Sequence, residues 1–221
     1  FHIVYIKKYV FPFLLSNNKF VYQLISFYIC SMKKLILIIT FCLLWVINYA
    51  QTFNGINVGT TYNVTHKVLI KSGFYKTDST NNKVNYIGKV VGEDCKITIV
   101  CTPISNVVWK IIVYANTNYS WYSAKSSYNR YKEILSNKYI LSNEYMFFSS
   151  PYSEGDGYEL SALYKDKCRF KSFFKDSLDN NISLELISFK YEVVNTVIQY
   201  ENKIAADLNK KEKVEIANKT F

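Results

Sequence analysis

Two stretches of strict alternation organise the chain. Cys95, Ile97, Ile99 and Cys101 form one apolar row against Lys96 and Thr98, and Ile182, Leu184 and Leu186 form another against Ser183 and Glu185. A period of two is that of a strand with one face in a core and the other facing out. Further strands are expected over residues 86–91, 95–102 and 107–115, then over 158–164, 168–175, 182–189 and 193–200, separated by the turns "VGED", "PISN", "YKDK" and "SLDNN". Each set follows a stretch with helical spacing. In "TTYNVTHKVLIKSGF", Thr60 or Thr61 caps a short helix that buries Val64, Val68 and Leu69 and stops at Gly73. In "SWYSAKSSYNRYKEILSNKY", Ser120 or Ser123 is the cap, and Ala124, Tyr128, Tyr131, Leu135 and Tyr139 make one stripe, with Lys125, Asn129 and Lys132 off it. An aromatic stripe of this kind is core. The pattern is therefore an α+β fold of two helix-plus-antiparallel-meander repeats forming a sheet with helices on one face. The units are 51–118 and 119–200, each read as αβββ, followed at 201–221 by a short helix that frays into a polar tail, with Ile204, Leu208 and Val214 as its regular apolar points.

The beginning of the chain follows neither period. Lys33 and Lys34 precede an apolar run over residues 35–47, and Ala50 supplies a small residue before Gln51. These are the parts of an export signal over 32–50 with cleavage between Ala50 and Gln51. The run is too short for a bilayer, which needs about 20 residues. Residues 1–31 contain no Met and read as translated non-coding sequence ahead of Met32; Pro12 and the polar run 16–19 interrupt their apolar stretch well short of a span. The expectation is a secreted or periplasmic protein with no stable membrane span after signal cleavage.

Removal of that leader changes the charge balance. The whole chain carries 27 basic and 17 acidic residues, and five of the lysines lie before Gln51. What remains is mildly basic, in keeping with solubility. Nothing resembles a recognition helix with an arginine row, so no nucleic-acid partner is expected. Cys95 and Cys101 on one strand stand about 20 Å apart, beyond disulfide reach of each other; export leaves one bridge to Cys168 open, with at least one thiol free, and the preferred reading is three reduced, buried side chains. No spacing suits zinc, and no metal or cofactor is expected. His66 is the only histidine after Gln51 and is read as a surface residue at the start of a helix, so a nucleophile has a single possible base. Glu154 and Asp156 in "SEGDG" lack the longer series of oxygens that calcium requires, and the segment reads as a glycine-rich loop. No catalytic residue is assigned.

A resemblance supports the export reading. Ala50, Gln51, Phe53, Gly55 and Ile56, followed by "VWKIIVY", "WYSAKSSYNRYKEILSNKY", "YELSALYKDKCRFKSFF" and "VIQYENK", resemble a family of uncharacterised secreted proteins of Bacteroidetes. Ile140 departs from the glycine which that family has after the pair corresponding to Lys138 and Tyr139. Two helix-meander units are also similar in architecture to secreted inhibitors of β-lactamases, which implies a binding role. The family's source further implies O-linked glycans at Asp-Ser/Thr-aliphatic sites, of which Ser79 in "DST" and Ser177 in "DSL" are candidates.

The functional expectation is a non-catalytic exported protein, inhibitor-like or an envelope accessory, that binds an unknown protein or envelope component through its open sheet face. Parity along the strands puts Lys96, Thr98, Arg169, Lys171, Phe173 and Glu185 on that face. The alternative is a secreted hydrolase with a scattered carboxylate pair, which would show as two carboxylates about 5 to 9 Å apart in a cleft.

Overall fold

The computed structural model describes residues 52–53 and 55–220. The readings of residues 1–31, of the signal at 32–50 and of cleavage between Ala50 and Gln51 lie outside these described residues. Among the described residues, ten strands and four helices follow in the order β1 (Thr52–Phe53), β2 (Ile56–Asn57), α1 (Tyr62–Lys71), β3 (Tyr75–Thr80), β4 (Lys83–Val90), β5 (Glu93–Cys101), β6 (Val108–Asn118), α2 (Trp121–Ser136), β7 (Ile140–Phe148), α3 (Glu159–Tyr164), β8 (Cys168–Lys175), β9 (Asn181–Lys190), β10 (Val193–Glu201) and α4 (Lys203–Thr220). Strands β1 and β2 form a small ribbon, and the other eight form one antiparallel sheet in the order β3-β4-β5-β6-β10-β9-β8-β7. The chain is thus α+β and consists of two helix-plus-meander units. Their sheets join through their last strands, β6 and β10, which run antiparallel from Asn118 opposite Val194 to Lys110 opposite Glu201.

The alternation reported the core correctly. Cys95, Ile97, Ile99 and Cys101 of β5, Ile111 and Val113 of β6, and Ile182, Leu184 and Leu186 of β9 are buried in one cluster with Leu69 of α1, Ala124, Tyr128, Tyr131 and Leu135 of α2, and Ala162 and Leu163 of α3. These three helices therefore cover one face of the sheet. Helix α2 is capped as its sequence indicates, with the Ser123 backbone N–H donating to Ser120 Oγ at 3.2 Å. It ends at Ser136 with Asn137 in an ordinary right-handed conformation, and none of residues 137–140 has a positive φ, so the helix stops without a left-handed residue. Tyr139 lies beyond the helix and is still buried.

Several boundaries differ from the sequence reading. Each unit has four meander strands, because β3 and β7 stand at the two edges, where neither needs a buried face. Segment 158–164, expected as a strand, contains α3, which buries Glu159, Ala162 and Leu163. In α1 the buried residues are Thr65 and Leu69, while Val64 is 52% exposed. Helix α4 continues to Thr220 instead of fraying early. Its buried positions are Ala205, Ala206, Asn209 and Glu212, whereas Ile204 and Val214 are exposed. The helix packs against β6. Glu212 anchors it by accepting from the Ile104 N–H (2.7 Å), the Ser105 N–H (3.2 Å) and Ser105 Oγ (2.5 Å) in the β5–β6 turn.

Candidate binding surface

The face opposite α1, α2 and α3 carries the residues assigned by parity, in two groups. The first belongs to β7, β8 and β9. Lys171 of β8 stands between Tyr145 of β7 and Glu185 of β9 in the strand register, and its Nζ reaches Glu185 Oε2 at 2.6 Å. The same ammonium lies 5.1 Å from the centre of the Phe173 ring, and Phe173 meets Tyr145 edge to face at 6.1 Å. Phe173 is therefore half-buried by its neighbours and not freely exposed. Arg169, paired in register with Phe147, is exposed.

The second group lies on β4, β5 and β6. Lys96 is exposed and sits opposite Ile87 on one side and Tyr114 on the other. Thr98 faces away from the helices, as parity requires, but is buried, and its hydroxyl donates to Asn85 Oδ1 at 2.6 Å. It forms a floor instead of an exposed contact, because side chains of neighbouring strands cover the middle of a wide twisted sheet. Around Lys96 opens a cavity of about 1100 Å³ whose lining includes Tyr75, Ile87, Thr98, Tyr114, Phe189 and Asn195. Tyr114 and Phe189 pack at 6.1 Å. Tyr75 was not foreseen because β3 was not; Tyr114 follows from its alternation with the buried Val113.

A second cleft of about 550 Å³ lies between α2 and the loop before α3, and holds Trp121, Tyr122, Glu154 and Glu159. Here both carboxylates have structural partners. Glu154 is ion-paired with Lys125, which holds its carboxyl below the ordinary value. Glu159 is buried and accepts the Gly155 N–H at 2.8 Å. Asp156 accepts the N–H groups of Ser153 and Tyr158 at 2.8 and 2.7 Å, which makes "SEGDG" a self-bonded turn.

Polar groups beneath the helices are likewise engaged. Tyr128 Oη and Ser172 Oγ are 2.6 Å apart, Ser172 Oγ donates to Glu144 Oε1 at 2.6 Å, and Lys132 Nζ reaches the same oxygen at 2.6 Å. Burial opposes the charge on Glu144, but the hydrogen bonds from Lys132 and Ser172 outweigh it and hold the carboxyl below its ordinary value. His66 is half-buried and not a surface residue: Nδ1 shares a hydrogen bond of 2.8 Å with Tyr86 Oη, and its ring stacks on Tyr62 at 5.7 Å. Among the described residues, no group of three or more His, Cys, Asp or Glu is placed to hold a metal ion. Cys95, Cys101 and Cys168 are unpaired and buried, and burial pushes their thiols up to about 11, 11 and 12.

The glycan candidates are both exposed. Ser79 lies in edge strand β3 instead of a turn, and Ser177 lies in the turn between β8 and β9. Asp176 beside it is committed to that turn, accepting the Leu178 N–H at 2.9 Å and the Asn180 N–H at 2.8 Å. No helix among the described residues is long and apolar enough to cross a membrane. No family model, curated protein or solved structure matches the chain.

Proposed function

We propose that this chain is an exported, non-catalytic module, secreted or periplasmic, that binds a protein or envelope component through the sheet face opposite its three core helices. The observation that carries this reading is the composition of that face. It presents Arg169, the Lys171–Phe173–Tyr145 cluster and a cavity edged by Tyr75, Tyr114, Phe189 and Lys96, and aromatic and arginine side chains supply most of the energy at protein interfaces. The resemblance to secreted inhibitor-like proteins and the export signal read at 32–50 point the same way, and glycan attachment at Ser79 and Ser177 is compatible with an exported chain.

The hydrolase reading rests on one observation, the cleft with Glu154 and Glu159. Both carboxylates there are held by Lys125 or by backbone, which favours a structural role.

The test is the Arg169→Ala, Phe173→Ala double variant. Neither side chain belongs to the buried cluster, so its thermal unfolding should stay close to the parent's. Its capture of a partner from envelope extract should weaken by about 2 kcal/mol, roughly thirty-fold. Unfolding of the variant, or capture equal to the parent's, would refute the assignment of the face. Retained activity against a glycan in the parent but not in Glu159→Gln would favour the hydrolase.

A further inference from the structure

The two edges of the sheet are built differently. Strand β3, "YKTDST", is six residues long, has a register break between Lys76 and Ser79, and carries Lys76 and Asp78. Charges, shortness and irregularity are the devices that keep a sheet edge from pairing. Strand β7, "ILSNEYMFF", is nine residues long and has no lysine, arginine or proline. Its apolar side chains stand out on both faces: Ile140 is 72% exposed, Phe147 46%, Tyr145 44%, Leu141 43% and Met146 41%. Its one charged residue, Glu144, is turned onto Lys132 and Ser172. Among the described residues no strand lies on its outer side.

We propose that β7 pairs with β7 of a second copy of this chain, antiparallel and about a two-fold axis, to give one continuous sheet. A row of unpaired N–H and C=O groups is its own complement when two copies meet antiparallel. The hydrogen-bond alternation selects the register. The Ser149 N–H bonds inward to Lys167, so odd-numbered residues 145 and 147 also point at β8, and the groups of Glu144, Met146 and Phe148 point out. The Glu144 N–H agrees, since it is occupied only by the neighbouring Asn143 side chain at 2.8 Å, a cap that swings aside for a strand.

Pairing Met146 with its own copy uses all three outward residues. It sets Tyr145 opposite Phe147 of the second copy twice, an aromatic cross-strand pair of the kind that stabilises sheets. It also sets Glu144 opposite Phe148, so like charges do not face each other. The chain already joins its two halves this way, through the antiparallel β6–β10 pairing. The unsuitable β3 edge prevents head-to-tail growth, so assembly closes at two copies. This inference shares Tyr145 with the binding face proposed above but rests on the backbone edge of β7 and not on that face.

Sedimentation equilibrium of protein purified from expression of the full 221-residue chain should give twice the chain mass at micromolar concentration. Met146→Lys should raise the dissociation constant about ten-fold or more, because two lysines would meet at the axis. Tyr75→Lys, on the β3 edge, should leave it unchanged. In the parent, the amides of Glu144, Met146 and Phe148 should exchange slowly with solvent, and faster on dilution. A monomer mass throughout, a dimer untouched by Met146→Lys, or rapid exchange at these three amides would overturn the proposal. Should Met146→Lys fail to fold, the parent's mass and exchange decide it. A monomer with the three amides protected at every dilution would mean that another segment of the same chain covers the edge, which also overturns it.

Discussion

Removing the Glu212 side chain should undock α4 without unfolding the sheet. The carboxylate accepts two backbone N–H groups and one hydroxyl of the β5–β6 turn, at 2.5 to 3.2 Å, while Ser105 Oγ also shares a 2.8 Å hydrogen bond with Thr102 Oγ1. A hydrogen bond to a charged group contributes about 1.5 to 3 kcal/mol, but Ile104 is half-exposed and water can reach its amide once the carboxylate is gone. The net cost of Glu212→Ala is therefore about 2 kcal/mol, a fall in Tm of roughly 4 to 8 °C for a domain of this size. Glu212→Gln should lose a similar amount, because its amide NH₂ would meet donors where an acceptor is needed.

The acid dependence has a definite sign. Burial works to raise the Glu212 pKa, but the hydrogen bonds from Ser105 and Ile104 outweigh it and leave the carboxyl below its ordinary value of 4.5. A lowered folded pKa gives stability that is fully present above about 4.5 and is lost as pH falls through the folded value. Parent and Glu212→Ala should thus differ in thermal unfolding at pH 7, and the gap should narrow as pH falls below about 4.5. A Tm for Glu212→Ala within about 1 °C of the parent at pH 7, or a gap that persists undiminished at pH 3, would refute this account.

Three further outcomes follow from other parts of the fold. Gly88→Ala would place a methyl 2.4 Å from Phe74 Cδ1 in the core and should cost about 1 to 3 kcal/mol by urea unfolding. Cys95, Cys101 and Cys168 should resist alkylation at pH 8 in native protein and react in denaturant, as peptide mapping would show, since burial disfavours all three thiolates. Ser172→Ala and Tyr128→Phe should each cost about 1 to 2 kcal/mol, with the double variant costing less than their sum, because both break the same 2.6 Å hydrogen bond.

What was legible in the sequence is what lies between the helices and the sheet. Strands β8, β9 and β10 alternate because each needs one buried face, so their positions and the facing of Arg169, Lys171, Phe173 and Glu185 could be read from parity. Edge strands escape that logic. All six residues of β3 are exposed, and the signal that could have found it is the pair Asn81–Asn82, both at positive φ, which forms the tight hairpin to β4. Helix α3 is too short for a 3.6-residue period to show, and Tyr158, Leu160, Leu163 and Tyr164 mimic a strand. Docking of α4 was hidden because small and polar side chains make it, with Glu212 bonded to a turn 107 residues away in sequence. Thr98 shows the limit of parity: it gives the direction of a side chain and not what its neighbours cover.

The seam between β6 and β10 also governs how the chain can be divided. Every other pairing in the large sheet joins strands within one half, while the seam brings together residues as distant as Lys110 and Glu201, closed by an ion pair of 2.9 Å. Loop-closure entropy grows only with the logarithm of length, so long separation alone adds little cost to making the seam. A break in the exposed linker at Tyr119 and Ser120 would leave one half with α1 and β3 to β6 and the other with α2, α3, α4 and β7 to β10, the freed edges of β6 and β10 being complementary and α4 adding the Glu212 contact to the β5–β6 turn. Two such fragments are built for reassembly, which makes this linker the natural place to split the protein into a two-part reporter whose signal returns only when the seam closes.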